Sequence, residues 1–233
     1  MWLSKSASTR LNLSASNRPF SLFPAEGDPV KKTAERSVTE VRLVEAAVQL
    51  FSRQGFKGTS TRDIAQLAGV NEATLFRYFA KKADLFRAAA ESRLNRVKFG
   101  RELQNGLAKD LDPDVVVPML TAFMVENLSE HPEVMRLLYV ARFELPGSDR
   151  VFREHLGPIF DAVHAYFSRC AAKGLIRDLD PTIATLGLAG AVGAHLNLHE
   201  LFTEKRAPRD AREAAPVYAQ FWLNGLQQKP KPG

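Results

Sequence analysis

Ten residues between positions 61 and 82 have the side-chain chemistry that contact with a nucleic acid requires. Asn, Glu, Ala and Thr at positions 71–74 offer donors, acceptors and a methyl group, which distinguish base-pair edges in a major groove. The others are cationic or hydroxyl-bearing and suit phosphate oxygens, which fix register without reading sequence. The ten residues are Thr61, Arg62, Asn71, Glu72, Ala73, Thr74, Arg77, Tyr78, Lys81 and Lys82.

Two short helices joined by a tight turn are needed to position these residues, and the sequence predicts both. Ser60 with Asp63 three residues later is an acidic variant of the capping box, so one helix begins there and runs to about Ala68. A Gly-Val turn follows, and Asn71 caps the next helix, whose N-terminal residues would approach base edges. The alternative is an ordinary helical hairpin whose basic residues are only solvated.

Charge is distributed unevenly along the 233 residues. Residues 1–101 carry 18 Lys and Arg against 9 Asp and Glu, whereas residues 102–233 carry 14 against 17. A basic front and a mildly acidic back indicate that only the front meets a polyanion. A basic tail without a partner is the alternative that charge alone leaves open.

Composition limits the class of protein. Apolar residues make up 45% of the chain, enough for a folded core, and the single cysteine, Cys170, allows neither an internal disulfide nor a thiolate metal cluster. We therefore expect a reducing, cytoplasmic setting. The sequence lacks the run of roughly 20 apolar residues that spans a bilayer, so no membrane partner is predicted.

Helical periodicity predicts an all-α fold of about nine helices without a sheet. We expect a flexible extension over residues 1–33, a three-helix helix-turn-helix domain over 34–82, a helical domain over 83–228 and a tail over 229–233. Residues 1–30 are Ser-rich and have no acid before Glu26, so a transit peptide or an alternative start at Val30 stays open. Ser148 is expected to cap a long helix, and Pro158 to kink it.

The front of the chain resembles the DNA-binding domain of the tetracycline-repressor (TetR) family over roughly residues 36–86. The resemblance is specific as a set and rests on these residues: Leu50, Phe51, Gly55, Phe56, Thr59, Ser60, Thr61, Ile64, Ala65, Ala68, Gly69, Val70, Leu75, Phe76, Arg77, Tyr78, Phe79, Lys82 and Leu85. After residue 100 the helix pattern is similar to that family's effector-binding and dimerisation domain, without identifying a subfamily.

The resemblance implies a homodimer whose recognition helices enter successive major grooves of a palindromic double-stranded operator. It implies phosphate contacts at Thr61, Tyr78 and Lys82 and base contacts near residues 71–74. Three positions depart from the common pattern. Phe76 replaces a frequent tyrosine, Ala73 a frequent glycine, and Lys81 a small capping residue, so the operator is not predicted and the fourth helix is expected to start loosely.

The resemblance also implies a small-molecule pocket among the central helices. A hydrophobic or amphipathic effector is expected, held by an aromatic and methionine stripe, although such a stripe is more often plain core than pocket. Asn127, Arg142 and His155 are the polar groups expected to orient a ligand. The alternative for Arg142 is an ion pair with an acid such as Glu144 at the surface. The predicted lining comprises Leu120, Phe123, Met124, Asn127, Tyr139, Arg142, Phe152, His155, Phe160 and Phe167.

Small residues mark a close helix contact near position 190. Gly187, Gly190 and Gly193 recur every three residues, although glycine inside a helix costs about 1 kcal/mol relative to alanine. Packing within one subunit explains this as well as a dimer does, and the resemblance favours the dimer. The predicted interface comprises Gly187, Gly190, Gly193, His195, Val217 and Phe221.

His195 and His199 lie four residues apart, a spacing that can bind a metal but is a weak signal by itself. Neither a metal nor a cofactor is therefore predicted.

The sequence thus predicts a DNA-binding transcription regulator, most simply a repressor that an effector releases from its operator through the fourth helix, 83–99. Two rival classes stay open. A non-specific nucleoid-type binder would need basic charge along the whole chain. An enzyme would need an assembled site, and the sequence has no phosphate-binding glycine loop, metalloprotease motif or nucleophile elbow.

Overall fold

A computed structural model describes residues 37–97, 100–202 and 211–226, without the side chains of 197–202 and 211–212. The predicted extension, 1–33, and tail, 229–233, lie outside these residues. The described part is all-helical and belongs to one compact unit, residues 34–233. Its helices are α1 (Val38–Gln54), α2 (Thr61–Leu67), α3 (Glu72–Tyr78), α4 (Lys82–Leu94), α5 (Arg101–Ala108), α6 (Pro113–Glu130), α7 (Pro132–Phe143), α8 (Arg150–Ala172), α9 (Pro181–Phe202) and α10 (Ala211–Leu226).

Helices α1–α4, called the head, are delimited by the predicted caps. Ser60 and Asp63 form a complete capping box at α2, and Asn71 caps α3 through its side chain. Gly55 ends α1 with φ 75°, a left-handed conformation that favours glycine. Lys81 precedes α4 without a side-chain cap, which agrees with the predicted loose start.

A cluster of aromatic rings holds the head together. Phe51 and Phe86 are fully buried and meet edge-on at 5.3 Å between ring centroids. Phe56 stacks on Phe51 at 5.6 Å and meets Phe86 edge-on at 5.9 Å. This core continues into α7 and the start of α8, where Leu137 and Phe152 are buried. The head is therefore packed directly on the rest of the chain.

Helices α5–α10, called the rear, are built around α6, which contacts α5, α7, α9 and α10. A second core holds α5, α6, α8, α9 and α10 together, with Tyr166 and Phe167 fully buried at its centre. The Tyr166 hydroxyl donates to Leu111 O at 2.7 Å, and burial raises the pKa of this phenol, which stays neutral. Asp112 caps α6 as predicted.

Two helix boundaries differ from the sequence prediction. The fourth helix ends at Leu94 rather than continuing to 99, and α5 is a separate helix, which gives ten among the described residues instead of nine. Val97, beyond that end, still packs on the core, so apolar spacing alone does not show where the helix stops. Asp149, not Ser148, occupies the cap position of α8, and it makes no side-chain cap bond.

Candidate DNA-binding face and effector cavity

Asn71 organises the N-terminus of α3. Its Oδ1 accepts from Thr74 N at 2.7 Å and from the Thr74 hydroxyl at 2.8 Å. The Thr74 donor is therefore engaged within the helix, which leaves its methyl group and oxygen lone pair for a base. Ala73, beside it, is exposed.

Thr61 and Glu72 link the first turns of α2 and α3. The Thr61 hydroxyl donates to one carboxylate oxygen of Glu72 in a short contact. The contact fixes Glu72 at the start of α3 and leaves its second oxygen as an acceptor. Thr61, predicted to contact phosphate, thus has a partner inside the protein, and its phosphate contact stays a prediction.

Exposed cationic side chains lie on the same helices and just before α4. Arg62, Arg77 and Lys81 are all exposed, on α2, on α3 and before α4. Tyr78 is 39% exposed, and its hydroxyl accepts from the Ser37 hydroxyl at 3.1 Å. The structure therefore brings the predicted base-contacting and phosphate-contacting groups to neighbouring helix ends in the head.

Lys82 differs from the other predicted DNA contacts because it bonds inward. Its Nζ donates to Phe56 O and Thr59 O, both at 2.8 Å, and lies 4.2 Å from the centroid of the Phe56 ring. Burial lowers the pKa of this amine. Lys82 thus fastens the α1–α2 loop to the start of α4, a role that the sequence did not indicate, and its phosphate contact stays a prediction.

An apolar cavity of about 220 Å³ lies among α6, α7, α8 and α9. Five of the ten predicted residues line it: Leu120, Phe123, Met124, Asn127 and Phe160. The sequence pattern did not indicate the lining residues of α7 and α9, because apolar spacing does not distinguish a cavity wall from ordinary core. These include Val134, Met135, Leu138, Thr185, Leu188 and Ala189, and Gly193, predicted for the dimer interface, also lines the cavity.

The other five predicted pocket residues lie elsewhere, which corrects that part of the prediction. Tyr139 and Arg142 are exposed because they lie on the outer face of α7, where Tyr139 stacks on Phe143 at 6.5 Å. Phe152 is buried in the core shared with the head, and Phe167 in the second core. His155 is half-buried, with its Nδ1 2.9 Å from Val151 O one turn earlier.

Helix α7 connects the cavity to the head through two polar contacts. Near its start, Glu133 Oε1 lies 2.8 Å from Nε of the buried Arg93, at an angle that does not suit a hydrogen bond. The Arg93 guanidinium donates through both terminal nitrogens to Glu45 of α1, and this bond lowers the pKa of Glu45. At the other end, Glu144 accepts from Lys57 N at 2.9 Å.

Comparison with known proteins agrees with this geometry. The sequence profile described as "Bacterial regulatory proteins, tetR family" matches residues 43–89, which run from α1 into α4. These residues form a TetR-family DNA-binding domain. An uncharacterised HTH-type regulator of Bacillus subtilis, YvkB, is 27% identical over 153 residues, which cover 55% of this chain and 81% of YvkB.

Two further proteins bear on the TetR assignment. The HTH-type transcriptional repressor NicS of Pseudomonas putida is 27% identical over 146 residues, which cover 60% of this chain and 66% of NicS. The structure of KstR2, a ketosteroid transcriptional regulator of Mycobacterium tuberculosis, superposes with a TM-score of 0.64 at 16% identity, over 84% of this chain and 98% of KstR2. These proteins are transcription regulators, and this chain is a DNA-binding transcription regulator, as the sequence predicted.

Exposed apolar side chains on α9 and α10 are here called the apolar strip. Val217 and Phe221, both predicted for the dimer interface, are 51% and 68% exposed, and Ile183 and Leu186 lie on α9 with similar exposure. Gly190 also faces open space. Large exposed apolar side chains on two helices that pack together are a feature of protein–protein interfaces.

Gly187 and His195 have contacts within the chain instead. A Cβ at Gly187 would overlap the Trp222 ring, so this glycine allows α9 and α10 to approach each other. His195 Nδ1 lies 3.0 Å from the Tyr218 hydroxyl. The side chain of His199 lies outside the described residues. Within the described part of the chain, no group of three potential metal ligands occurs and no helix has the length and apolarity to cross a membrane.

Proposed function

We propose that this protein is a ligand-responsive repressor that binds a palindromic operator as a homodimer. The observation that carries the proposal is the arrangement at the start of α3. There, the Thr61 contact holds the carboxylate of Glu72 beside Ala73 and Thr74, and the exposed cations Arg62 and Arg77 belong to the same two helices. That arrangement suits base contacts flanked by phosphate contacts.

The apolar strip on α9 and α10 supports the homodimer. If two copies of the chain pair through this strip across a twofold axis, Phe221 and Val217 of both copies become buried. Two recognition helices one turn of DNA apart require a palindrome of matching half-site spacing. The predicted cytoplasmic location follows from the DNA partner.

Effector binding would act on the head through both α4 and α7. Met135 and Leu138 of α7 line the cavity. Glu133 on the same helix contacts Arg93, and Glu144, directly after the helix, accepts from Lys57 N. A ligand that shifts α7 would therefore change the contacts that hold α1 and the α1–α2 loop. The sequence indicated only the fourth helix as the route. That helix ends at Leu94, before the cavity, and Val97, three residues later, lines the cavity.

The ligand weakens operator binding only to the extent that it binds the DNA-binding and the released conformation with different affinities. In allosteric proteins the resulting change in affinity is typically about 5–150-fold. Glu144→Gln should therefore reduce the effect of ligand on operator affinity more than it reduces ligand binding itself. Glu154→Gln, on the exposed start of α8, is the matched control. Equal ligand response in both variants would contradict the proposed route through α7.

Selection from a random DNA pool with the full chain tests DNA recognition. We expect a palindrome to be enriched, and the double variant Arg62→Ala with Arg77→Ala to bind it with a salt slope shallower by about 2, since each phosphate contact contributes about 0.9. Lys82 is unsuitable for this test because it holds the loop before α2. Equal binding to all sequences would favour the nucleoid-type alternative.

Light scattering tests the homodimer. Phe221→Asp places a charge in the apolar strip and should shift the protein towards monomer at micromolar concentration. Phe143→Asp is the matched control, because Phe143 is 75% exposed but lies on the outer face of α7. A monomeric parent protein, or a dimer that both substitutions leave intact, would contradict the proposed interface.

A further inference from the structure

The wall of the effector cavity is apolar throughout its described part. Leu, Val, Ile, Phe and Met side chains form nearly all of it, and none of the described lining residues is charged. Arg142 and His155, the two charged or titratable groups that the sequence offered for a ligand, lie away from the cavity, one exposed and the other beside Val151 O.

The two polar side chains of the described lining each donate to a carbonyl of their own helix. Asn127 Nδ2 donates to Phe123 O at 2.8 Å, and Thr185 Oγ1 donates to Pro181 O at 2.8 Å. These bonds engage the Thr185 hydroxyl proton and one of the two amide protons of Asn127. An ionised ligand group would therefore find no opposite charge among the described lining residues. Burying an ion without such a partner is strongly unfavourable.

The size of the cavity limits the ligand further. An apolar cavity of about 150 Å³ stays dry and holds one benzene molecule. The volume of about 220 Å³ in this protein therefore has room for a benzene ring with a short chain. The rings of Phe123 and Phe160 and the sulfurs of Met124 and Met135 line the same space and favour contact with an aromatic ring.

We propose that the effector is uncharged, and that the part it buries is a hydrocarbon or aromatic group of this size with no carboxylate, phosphate or ammonium inside the cavity. The inference rests on the proposed function, since it takes this cavity to be the effector site. The sequence predicts a hydrophobic or amphipathic effector. The proposal excludes those amphipathic molecules whose charged group would have to enter the cavity.

Three matched probes test the charge limit: propylbenzene, 3-phenylpropanoate and 3-phenylpropylammonium, titrated at neutral pH into the full chain by calorimetry or ligand-detected NMR. We expect propylbenzene to bind and both ions to bind at least about a hundredfold more weakly. Either ion binding as tightly as propylbenzene would overturn the proposal. So would a failure of propylbenzene to bind up to its solubility limit.

Cavity-filling variants show where the probe binds. Ala189→Phe and Met124→Trp each place a ring in the cavity and should abolish propylbenzene binding, whereas Ala122→Phe, on the exposed face of α6, should not. Circular dichroism identifies any variant that fails to fold, and the second filling variant then replaces it. Undiminished binding in a folded filling variant would overturn the proposal.

Operator binding measured with the same probes separates this proposal from the proposed function. Propylbenzene that binds in the cavity and weakens operator binding supports both. Propylbenzene that binds there without changing operator affinity contradicts ligand-responsive repression and still supports an uncharged ligand class. Operator release by 3-phenylpropanoate through the cavity would overturn the ligand class while supporting the proposed function.

Discussion

Side chains in the head bond to backbone groups of neighbouring segments, whereas polar side chains around the effector cavity bond within their own helices. Lys82 reaches two carbonyls of the α1–α2 loop, and Arg42 Nη2 of α1 donates to Gly69 O in the turn after α2 at 3.3 Å. Asn127 and Thr185, at the cavity, each donate to a carbonyl four residues earlier. Directional bonds therefore fix the head, while non-directional apolar packing forms the cavity.

This difference suits the two tasks. Base contacts depend on the positions of a few atoms, and fixed loops and capped helices supply that precision. Apolar packing has no directional preference, so a cavity wall made of it adapts to a ligand by rotamer changes. Substitutions in the head should consequently have sharp, position-specific effects.

The largest effect is expected from Phe86→Ala. This ring is fully buried between Phe51 and Phe56, and its removal should cost about 3–5 kcal/mol of the free energy of unfolding and abolish operator binding. Denaturant unfolding measures the loss. Phe143→Ala, at an exposed ring, is the control and should change stability by no more than about 0.5 kcal/mol. Similar values for both would show that the aromatic cluster does not stabilise the head.

Gly55→Ala tests the junction between the head and α7. The residue has φ 75°, and an added Cβ would overlap the Glu144 carboxylate. The expected loss is about 2–3 kcal/mol, from the strained backbone and the displaced Glu144. Gly147→Ala is a matched control: φ is 87° but no atom lies within 4 Å, so only backbone strain of about 1 kcal/mol is expected. Equal losses in thermal unfolding would mean that the Glu144 contact contributes nothing.

Glu72→Gln should change which base is preferred at one position of each half-site. A carboxylate accepts from cytosine N4, whereas a glutamine amide pairs with adenine, and such contacts discriminate by about 1–3 kcal/mol. Repeating the selection with the variant measures the change. Glu91→Gln, on α4, removes a carboxylate outside α3 and should leave the selected site unaltered. An unchanged site in the Glu72 variant would exclude this residue from base recognition.

Arg77→Ala should weaken binding similarly on all sequences and lower the salt slope by about 0.9, the value for one phosphate contact. Arg150→Ala is the control, because that arginine is exposed in the rear and pairs with Glu154. Titrations at several salt concentrations give both slopes. An unchanged slope for Arg77→Ala would place this residue away from the phosphates.

The smallest effect is expected from Glu45→Gln at acidic pH. The bond from Arg93 lowers the pKa of Glu45 below its usual 4.5, so its contribution to stability is complete above that pH and is lost as pH falls through the lowered pKa. The loss should stay below about 1 kcal/mol because the Glu45 side chain is 46% exposed. The free energies of unfolding of parent and variant, measured by denaturation, should differ at neutral pH and converge as the pH becomes acidic. A difference that stays the same at every pH would contradict the pairing.

Local signals made the head predictable. Caps, turns and helix starts depend on residues within one turn of each other, so Ser60, Asn71 and Gly55 were assigned correctly from sequence. The end of α4 was not assigned correctly, because the apolar Val97 continues the helical spacing past Leu94. The inward bonds of Lys82 were missed as well, since they join residues 23 and 26 positions apart.

Sequence alone determined the fold class, the helix-turn-helix and the family, because these follow from short-range patterns of capping, spacing and charge. Only the tertiary structure decided which apolar residues line the cavity and which fill the core. Phe152 and Phe160 lie on one helix with similar chemistry, yet the first is core and the second lines the cavity. The reason is physical: a helix face becomes a wall only where the helices packed against it leave a gap, and four separate segments of chain determine that gap.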